Sequence, residues 1–280
     1  MKPEASKLPG DIAEVVKFSL QEDIGSGDIT AELIPADKNI SARIISRQEA
    51  VFCGMHWANE VFSQLDDKLA INWYTKDGDS IKANQLLTTI KGSARSILTA
   101  ERTALNFLQT LSAAASQSNY YNSLVAHTKT VLLDTRKTIP GLRTAQKYAV
   151  RVGGCQNHRM GLYDAFLIKE NHISACGGIA EAINKARELY PQRLIEIEVQ
   201  SLSELEIAVS SSADIVMLDN FNIEDTLKAV ETNAGRCKLE ASGGIEQEDL
   251  MRVAETGVDY ISIGALTKHC KAVDLSMLVD

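Results

Sequence analysis

The chain has 280 residues, is 45% hydrophobic and 24% charged, and carries a formal net charge of −8. That length accommodates a barrel-sized unit plus a smaller module, each with its own core, and no apolar run approaches the roughly 18 residues of a membrane span. Net acidity with few aromatics beside basic residues excludes an ordinary nucleic-acid surface, while Cys53, Cys155, Cys176, Cys237 and Cys270, widely spaced and without a C-x-x-C pair, suit reduced thiols better than a disulfide frame or zinc site.

The first twenty residues hold Glu4, Asp11 and Glu14 and no uninterrupted apolar core before a small-residue cleavage site, so a cytoplasmic location is expected. Ile12, Val15, Val16 and Leu20 recur at helical spacing after the Pro9-Gly10 break, predicting a helix over 11–21. Gly25-Ser26-Gly27-Asp28 ends it as a loop: no strand precedes it and no third glycine follows, as a dinucleotide fingerprint requires. A strand over 41–48, a helix over 54–65 with Met55, Ala58, Val61, Phe62 and Leu65 inward, and a strand over 69–74 make an α+β layer. Asp77-Gly78-Asp79-Ser80 and residues 85–92 resemble hairpins of the biotinyl or lipoyl carrier fold, without the exposed lysine motif a carrier needs. The clearest helix covers 94–113, its apolar stripe formed by Ile97, Leu98, Ala104, Leu105, Leu108 and Leu111. Arg95, Arg102, Asn106 and Gln109 form a polar strip beside it, which spacing alone reads as a solvated face.

From residue 130 onward β-rich runs at 130–133, 165–168, 194–199, 214–218, 237–241 and 260–263 alternate with helical segments at 142–152, 178–190, 203–209, 222–231 and 247–255. Such β-then-α units imply a parallel sheet, and their number favours an open or incomplete α/β barrel. The strand ends carry Asp134-Thr135-Arg136-Lys137, Lys169, Glu198, Asp219, 240–244 and Gly264, and in α/β barrels those ends converge on the mouth that holds the active site. Ser242-Gly243-Gly244 and Gly264-Ala265 either let backbone N–H groups approach a phosphate or permit tight turns. Glu198 and Asp219 either organise Mg²⁺ and ribose hydroxyls or form ion pairs with Lys169 or Arg159.

The window 134–172 sets Arg136, Lys137, Arg143, Lys147, Arg151, Arg159 and Lys169 against Asp134, Asp164 and Glu170, a net +4 that leaves −12 on the remaining chain. A cationic island in an acidic protein points to a small, highly charged anion. His158 lies inside it, placed to donate to a carboxylate or to serve in proton transfer. His172, three residues after Lys169, lacks the further ligand spacing of a metal site, and His56, His127 and His269 read as structural or exposed.

Long motifs span nearly the whole chain: E-D-I-G-S-G-D-I-T at 22–30, E-R-T-A-L-N-F-L-Q at 101–109, D-T-R-K-T-I-P-G-L-R at 134–143 and N-H-R-M-G-L-Y-D-A-F-L-I-K-E-N-H at 157–172. With E-I-E-V at 196–199, M-L-D-N at 217–220, E-A-S-G-G-I at 240–245 and I-G-A-L-T at 263–267, the chain strongly resembles the quinolinate phosphoribosyltransferases. The resemblance implies an N-terminal α/β sandwich domain over 1–112, joined by 271–280, and an open α/β barrel over 113–270. It implies transfer of a phosphoribosyl group from 5-phosphoribosyl 1-pyrophosphate (PRPP) to quinolinate with decarboxylation, in NAD biosynthesis, with Mg²⁺ on the donor and no tightly bound organic cofactor. A homodimer, or a higher oligomer built from dimers, is implied, with Arg102 completing the partner's site.

Carried over residue by residue, Arg102, Arg136 and Arg159 with His158 hold quinolinate; Lys137 and Lys169 hold the pyrophosphate; Thr135 is a substrate-binding residue; Glu198 and Asp219 organise Mg²⁺, directly or indirectly, and the ribose. Ser242, Gly243, Gly244, Gly264 and Ala265 hold the 5′-phosphate, and Lys137, Lys169, Glu198 and Asp219 are the expected catalytic set. Another carboxylated acceptor such as nicotinate is the nearest alternative, and a non-catalytic carrier or binding protein the alternative of a different class.

Overall fold

The computed structural model describes residues 7–269 and 271–280, so Glu4 and Cys270 lie outside the described residues. Helix α1 (Ile12–Ile24) follows the first apolar stripe, burying Val16 and Leu20, and stops at Gly25. The loop after it is held by Asp28, whose carboxylate accepts the backbone N–H groups of Thr30 and Ala31 and the hydroxyl of Thr99. Those bonds, Ala31's first, keep the Asp28 pKa low, so this glycine-rich loop is a structural turn, as its spacing indicated.

Strands β1 (Asn39–Ser46) and β2 (Ala50–Val51) precede α2 (Met55–Leu65), followed by β3 (Ala70–Trp73), β4 (Ser80–Ile81) and β5 (Leu86–Ser93). β1 pairs antiparallel with β5 on one side and with the C-terminal strand Leu275–Val279 on the other, and β5 pairs with β3. β2 and β4 form a separate pair. Trp57, Ala58, Val61 and Phe62 of α2 join Ile44, Leu87 and Ile90 in one core. Helix α3 (Ala94–Leu124) runs past the expected end at 113, because Ala113, Ala114 and Ala115 continue its buried side without the large apolar residues that mark a stripe.

The parallel strands β6 (Val131–Leu133), β7 (Phe166–Ile168), β8 (Ile195–Val199), β9 (Ile215–Asp219), β10 (Lys238–Ser242) and β11 (Tyr260–Ser262) each lie within two residues of their expected bounds. Between and after them come α4 (Arg143–Val152), α5 (Glu170–Cys176), α6 (Ile179–Leu189), α7 (Leu202–Ser210), α8 (Ile223–Asn233), α9 (Gln247–Ala254), α10 (Ala265–Lys268) and β12 (Leu275–Val279). Spatial order in the sheet is β6-β11-β10-β9-β8-β7. Among the described residues only an isolated bridge, Leu133 to Gln156, extends from β6 towards the β7 side, so the barrel is open. Helix α5 was not expected, since it buries none of its residues and so has no apolar stripe to detect; His172 Nδ1 accepts the Lys169 backbone N–H at its start, which gives that histidine a capping role.

By contact the chain divides into one unit of Met1–Tyr120, Thr138–Gly154 and Ala265–Asp280 and another of Tyr121–Lys137 and Cys155–Gly264. The first therefore includes α4, whose end at Gly153 approaches α3 so closely that a Cβ there would lie 2.3 Å from the Ala115 carbonyl. Lys147, one of the island's cations, is fully buried in this helix. All four described cysteines are free thiols. Among the described residues no helix is long and apolar enough to cross a membrane.

Candidate active site

Strand periodicity builds the site. In the parallel sheet Glu196 pairs with Ile215, Glu198 with Met217, and Ser242 with Asp219. Register partners share a face and alternate residues share a face, so Glu196, Glu198, Asp219, Glu240, Ser242 and Ser262 all line one side. The other side carries Ile195, Ile197, Val199, Val216, Leu218, Leu239 and Ile261, each at most 1% exposed. One face is thus the apolar seat for helices, and the other concentrates acids and hydroxyls.

At the β7 and β8 ends, the Lys169 ammonium contacts the Glu198 carboxylate. The ion-pair reading of Glu198 is therefore realised, with Lys169 and not Arg159 as its partner. Asp219 ends β9, half-buried. Next to it Gly243 adopts φ +99°, and a Cβ there would lie 2.8 Å from the Asn220 backbone nitrogen. Only glycine lets the β10 turn pass this close to the β9 turn, whose Asn220 N–H donates to the Ser242 carbonyl at 2.9 Å. Gly244 also has positive φ, +56°, with open space where a Cβ would point.

On the β6 side, Thr135 Oγ1 accepts the Lys137 backbone N–H at 3.1 Å, shaping the turn that presents exposed Arg136 and Lys137. Asp134 is completely buried and accepts Asn157 Nδ2 at 2.6 Å and the His158 backbone N–H at 3.0 Å, tying the N-H-R motif to the strand end. The Arg159 guanidinium donates to the Ala165 carbonyl at 3.4 Å, and Asp164 clasps the same loop by accepting the backbone N–H groups of Met160 and Gly161. Partial burial lowers the Arg159 pKa, and the charge of Arg136 lowers it further, against the attraction of Glu196 and Asp164. Two guanidiniums within each other's field create a demand for anionic charge.

Thr135, Arg136, Lys137, His158, Arg159, Lys169, Glu198, Asp219, Ser242, Gly243, Gly244 and Gly264 belong to the barrel unit, whereas Arg102 and Ala265 belong to the other. Arg102 is exposed on α3. Residues 24–34 lie along the same helix, with Arg95 donating to the carbonyls of Ile34 and Glu32, and this segment leaves Ile29 and Leu33 83% and 84% exposed. Sequence reasoning left out Glu196 and gave Glu240 no role beyond its strand end. The alternation I-E-I-E-V signals the first, since it puts Glu196 on the face of Glu198.

Residues 28–112 match the N-terminal domain, and residues 114–278 the C-terminal domain, of quinolinate phosphoribosyl transferase. The chain belongs to the quinolinate phosphoribosyl transferase family. Within this family, the probable nicotinate-nucleotide pyrophosphorylase [carboxylating] of Bacillus subtilis is 40% identical over 257 residues, covering 91% of this chain and 89% of the relative. The chloroplastic nicotinate-nucleotide pyrophosphorylase [carboxylating] of Arabidopsis thaliana is 37% identical over 291 residues, covering 96% and 83%. The solved nicotinate-nucleotide pyrophosphorylase from Francisella tularensis superposes with a TM-score of 0.95 at 52% identity over 99% of both chains. The phosphoribosyl transfer named for this family agrees with the concentration of charge at the strand ends.

Proposed function

We propose that this protein transfers the phosphoribosyl group of PRPP to quinolinate with loss of CO₂, giving nicotinate mononucleotide and pyrophosphate for NAD biosynthesis. The observation that carries the reading is the Arg136–Arg159 pair beside the mouth acids. Partial burial first, and then the charge of Arg136, lower the Arg159 pKa, and an anionic substrate relieves that repulsion. Guanidiniums give planar bidentate contacts to carboxylates, so a pair of them suits the two adjacent carboxylates of quinolinate better than the single one of nicotinate.

In this reading Arg136 and Arg159 orient the pyridine so that its nitrogen faces the ribosyl C1. The bond from C1 to pyrophosphate breaks with its electron pair leaving on the pyrophosphate oxygen, and the pyridine lone pair forms the new C–N bond. Lys137 and Lys169 stabilise the departing charge. The Glu198 carboxylate, paired with Lys169, and Asp219 face the oxocarbenium-like ribose. The carboxylate next to the new pyridinium then leaves as CO₂, and the electron pair left on the ring takes a proton. Thr135 shapes the turn that carries Lys137, and Ser242, Gly243, Gly244, Gly264 and Ala265 receive the 5′-phosphate on hydroxyl and backbone N–H groups.

Glu198 and Asp219 stand at the ends of neighbouring parallel strands, two oxygen donors of the kind Mg²⁺ takes while retaining water and phosphate ligands. Bound there with PRPP, Mg²⁺ supplies neutralising charge to the pyrophosphate. The reading includes a cytoplasmic homodimer in which exposed Arg102 completes the partner's site, and the exposed Ile29 and Leu33 near its helix suit such an interface. Purified protein with quinolinate, PRPP and Mg²⁺ is expected to release CO₂ in equal amount to nicotinate mononucleotide. Turnover of nicotinate in preference to quinolinate in a competition assay refutes the assignment of the acceptor.

A further inference from the structure

Beneath the predicted substrate groups lies a buried acid cluster to which the reaction above gives no part. His158 Nε2 is 2.8 Å from Glu196 Oε2 and 3.7 Å from Glu240 Oε2. Glu240 is 0% and Glu196 4% exposed. Glu196 Oε1 and both Glu240 oxygens lack a hydrogen bond of good geometry among the described residues, although Ser262 is a polar neighbour of Glu240. A buried carboxylate in that condition needs a cation, a proton or a charged neighbour to offset its desolvation.

The three ligand atoms lie within 4.8 Å of one another, a spacing that suits a metal ion. The histidine tautomer argues against that occupant. Nδ1 of His158 accepts the Arg159 backbone N–H at 2.7 Å, so the proton of the neutral ring resides on Nε2, the atom facing the carboxylates. A nitrogen that carries a proton has no lone pair for a metal. Nε2 instead lies 2.8 Å from Glu196 Oε2, at ion-pair distance though outside hydrogen-bond alignment, while Nδ1 is held by the Arg159 backbone N–H.

The same cluster reaches Arg159 by two routes. One is the backbone N–H held by His158; the other is the charge of Glu196, which draws on the guanidinium against the repulsion of Arg136. We propose that Glu196 and Glu240 are positioning residues that hold His158 in its Nε2–H form and, through it and directly, fix the Arg159 guanidinium for a substrate carboxylate. His158 then serves the site from beneath, through Arg159. Glu240, whose carboxyl is pushed up to about 8 by burial and by the neighbouring Glu196 charge, stays protonated near neutral pH and fills the space beside the imidazole. Were both ionised, they would offset the charges of Arg136 and Arg159 that a dicarboxylate has to meet.

This inference rests on quinolinate being the acceptor, and steady-state kinetics separates the two ideas. Quinolinate and PRPP are varied in turn with wild type, Glu196→Gln, Glu240→Ala and Glu240→Gln, folding being checked by thermal melting. Glu196→Gln is expected to raise the quinolinate KM at least 10-fold with the PRPP KM within about twofold of wild type, a split that general loosening of the fold does not produce. Glu240→Ala raises the quinolinate KM, and Glu240→Gln, which copies the shape of the protonated acid, brings it back towards wild type. If Glu196→Gln does not fold, Glu196→Asp, which keeps the charge and draws it back by one methylene, takes its place and is expected to raise the same KM. A quinolinate KM unchanged in the folded Glu196 variant, or a Glu240→Gln as impaired as Glu240→Ala, overturns the positioning role. A wild type that does not turn over quinolinate overturns the acceptor assignment, and the positioning role falls with it.

Discussion

Replacing Glu240 by Gln tests the physical state of the cluster independently of catalysis. In the unfolded chain this carboxyl ionises near 4.5; in the folded protein burial, then the charge of Glu196, push it up to about 8. Between those values the folded protein holds a proton that the unfolded chain has released, so the contribution of Glu240 to stability falls as pH rises through this window and levels off above it. A shift of this size corresponds to on the order of 4 kcal/mol by pH 8.5. Gln occupies the same volume and does not titrate. Glu240→Gln is therefore expected to match wild type at pH 5 and to exceed it increasingly towards pH 8.5, by on the order of 8 °C in Tm at roughly 2 °C per kcal/mol. Thermal melts of both proteins from pH 5 to 8.5 in matched buffers read this directly. A Tm difference that stays constant with pH, or one that shrinks as pH rises, refutes the protonated, buried Glu240.

Other substitutions probe the rest of the site. Gly243→Ala puts a Cβ against Asn220 at a φ of +99°, and is expected to weaken 5′-phosphate binding and PRPP KM by 10-fold or more; an unchanged PRPP KM removes this turn from the phosphate site. Arg102→Ala should lose roughly 2 to 5 kcal/mol of carboxylate recognition if its contact is desolvated and charge-paired, read as quinolinate affinity by titration calorimetry. Mixed with Lys169→Ala it should recover partial activity in heterodimers, and no recovery in a demonstrated heterodimer denies the shared site. Asp134→Ala removes the acceptor for Asn157 and His158 at a fully buried position, and should cost about 2 to 4 kcal/mol in denaturant unfolding; a loss below 0.5 kcal/mol contradicts its anchoring role.

The alternation of β-rich and helical segments after residue 130 determined the parallel sheet, because apolar periods of two and 3.6 survive without tertiary information. The motifs likewise placed Lys169, Glu198, Asp219 and the Ser242-Gly243-Gly244 turn at strand ends, and register carries three of these, Glu198, Asp219 and Ser242, to one face. Where a segment lacks a periodic apolar signal, the sequence was silent. Helix α5 buries none of its residues, and α3 extends through an alanine-rich continuation, so neither the first helix nor the end of the second could be read.

The cations of the island differ in depth, which charge counting does not contain. Arg136 and Lys137 are exposed, Lys147 is fully buried in α4, and the partly buried Arg159 guanidinium feels the charges of both Arg136 and Glu196. The alternating I-E-I-E-V run tells that Glu196 and Glu198 share a face. Only the folded sheet decides that Glu198 meets Lys169 at the rim while Glu196 lies inside against His158 and Glu240, because those partners come from strands and loops far apart in the chain. A strand's own pattern specifies which side a residue faces, whereas its partner and dielectric surroundings are set by what the other strands place there.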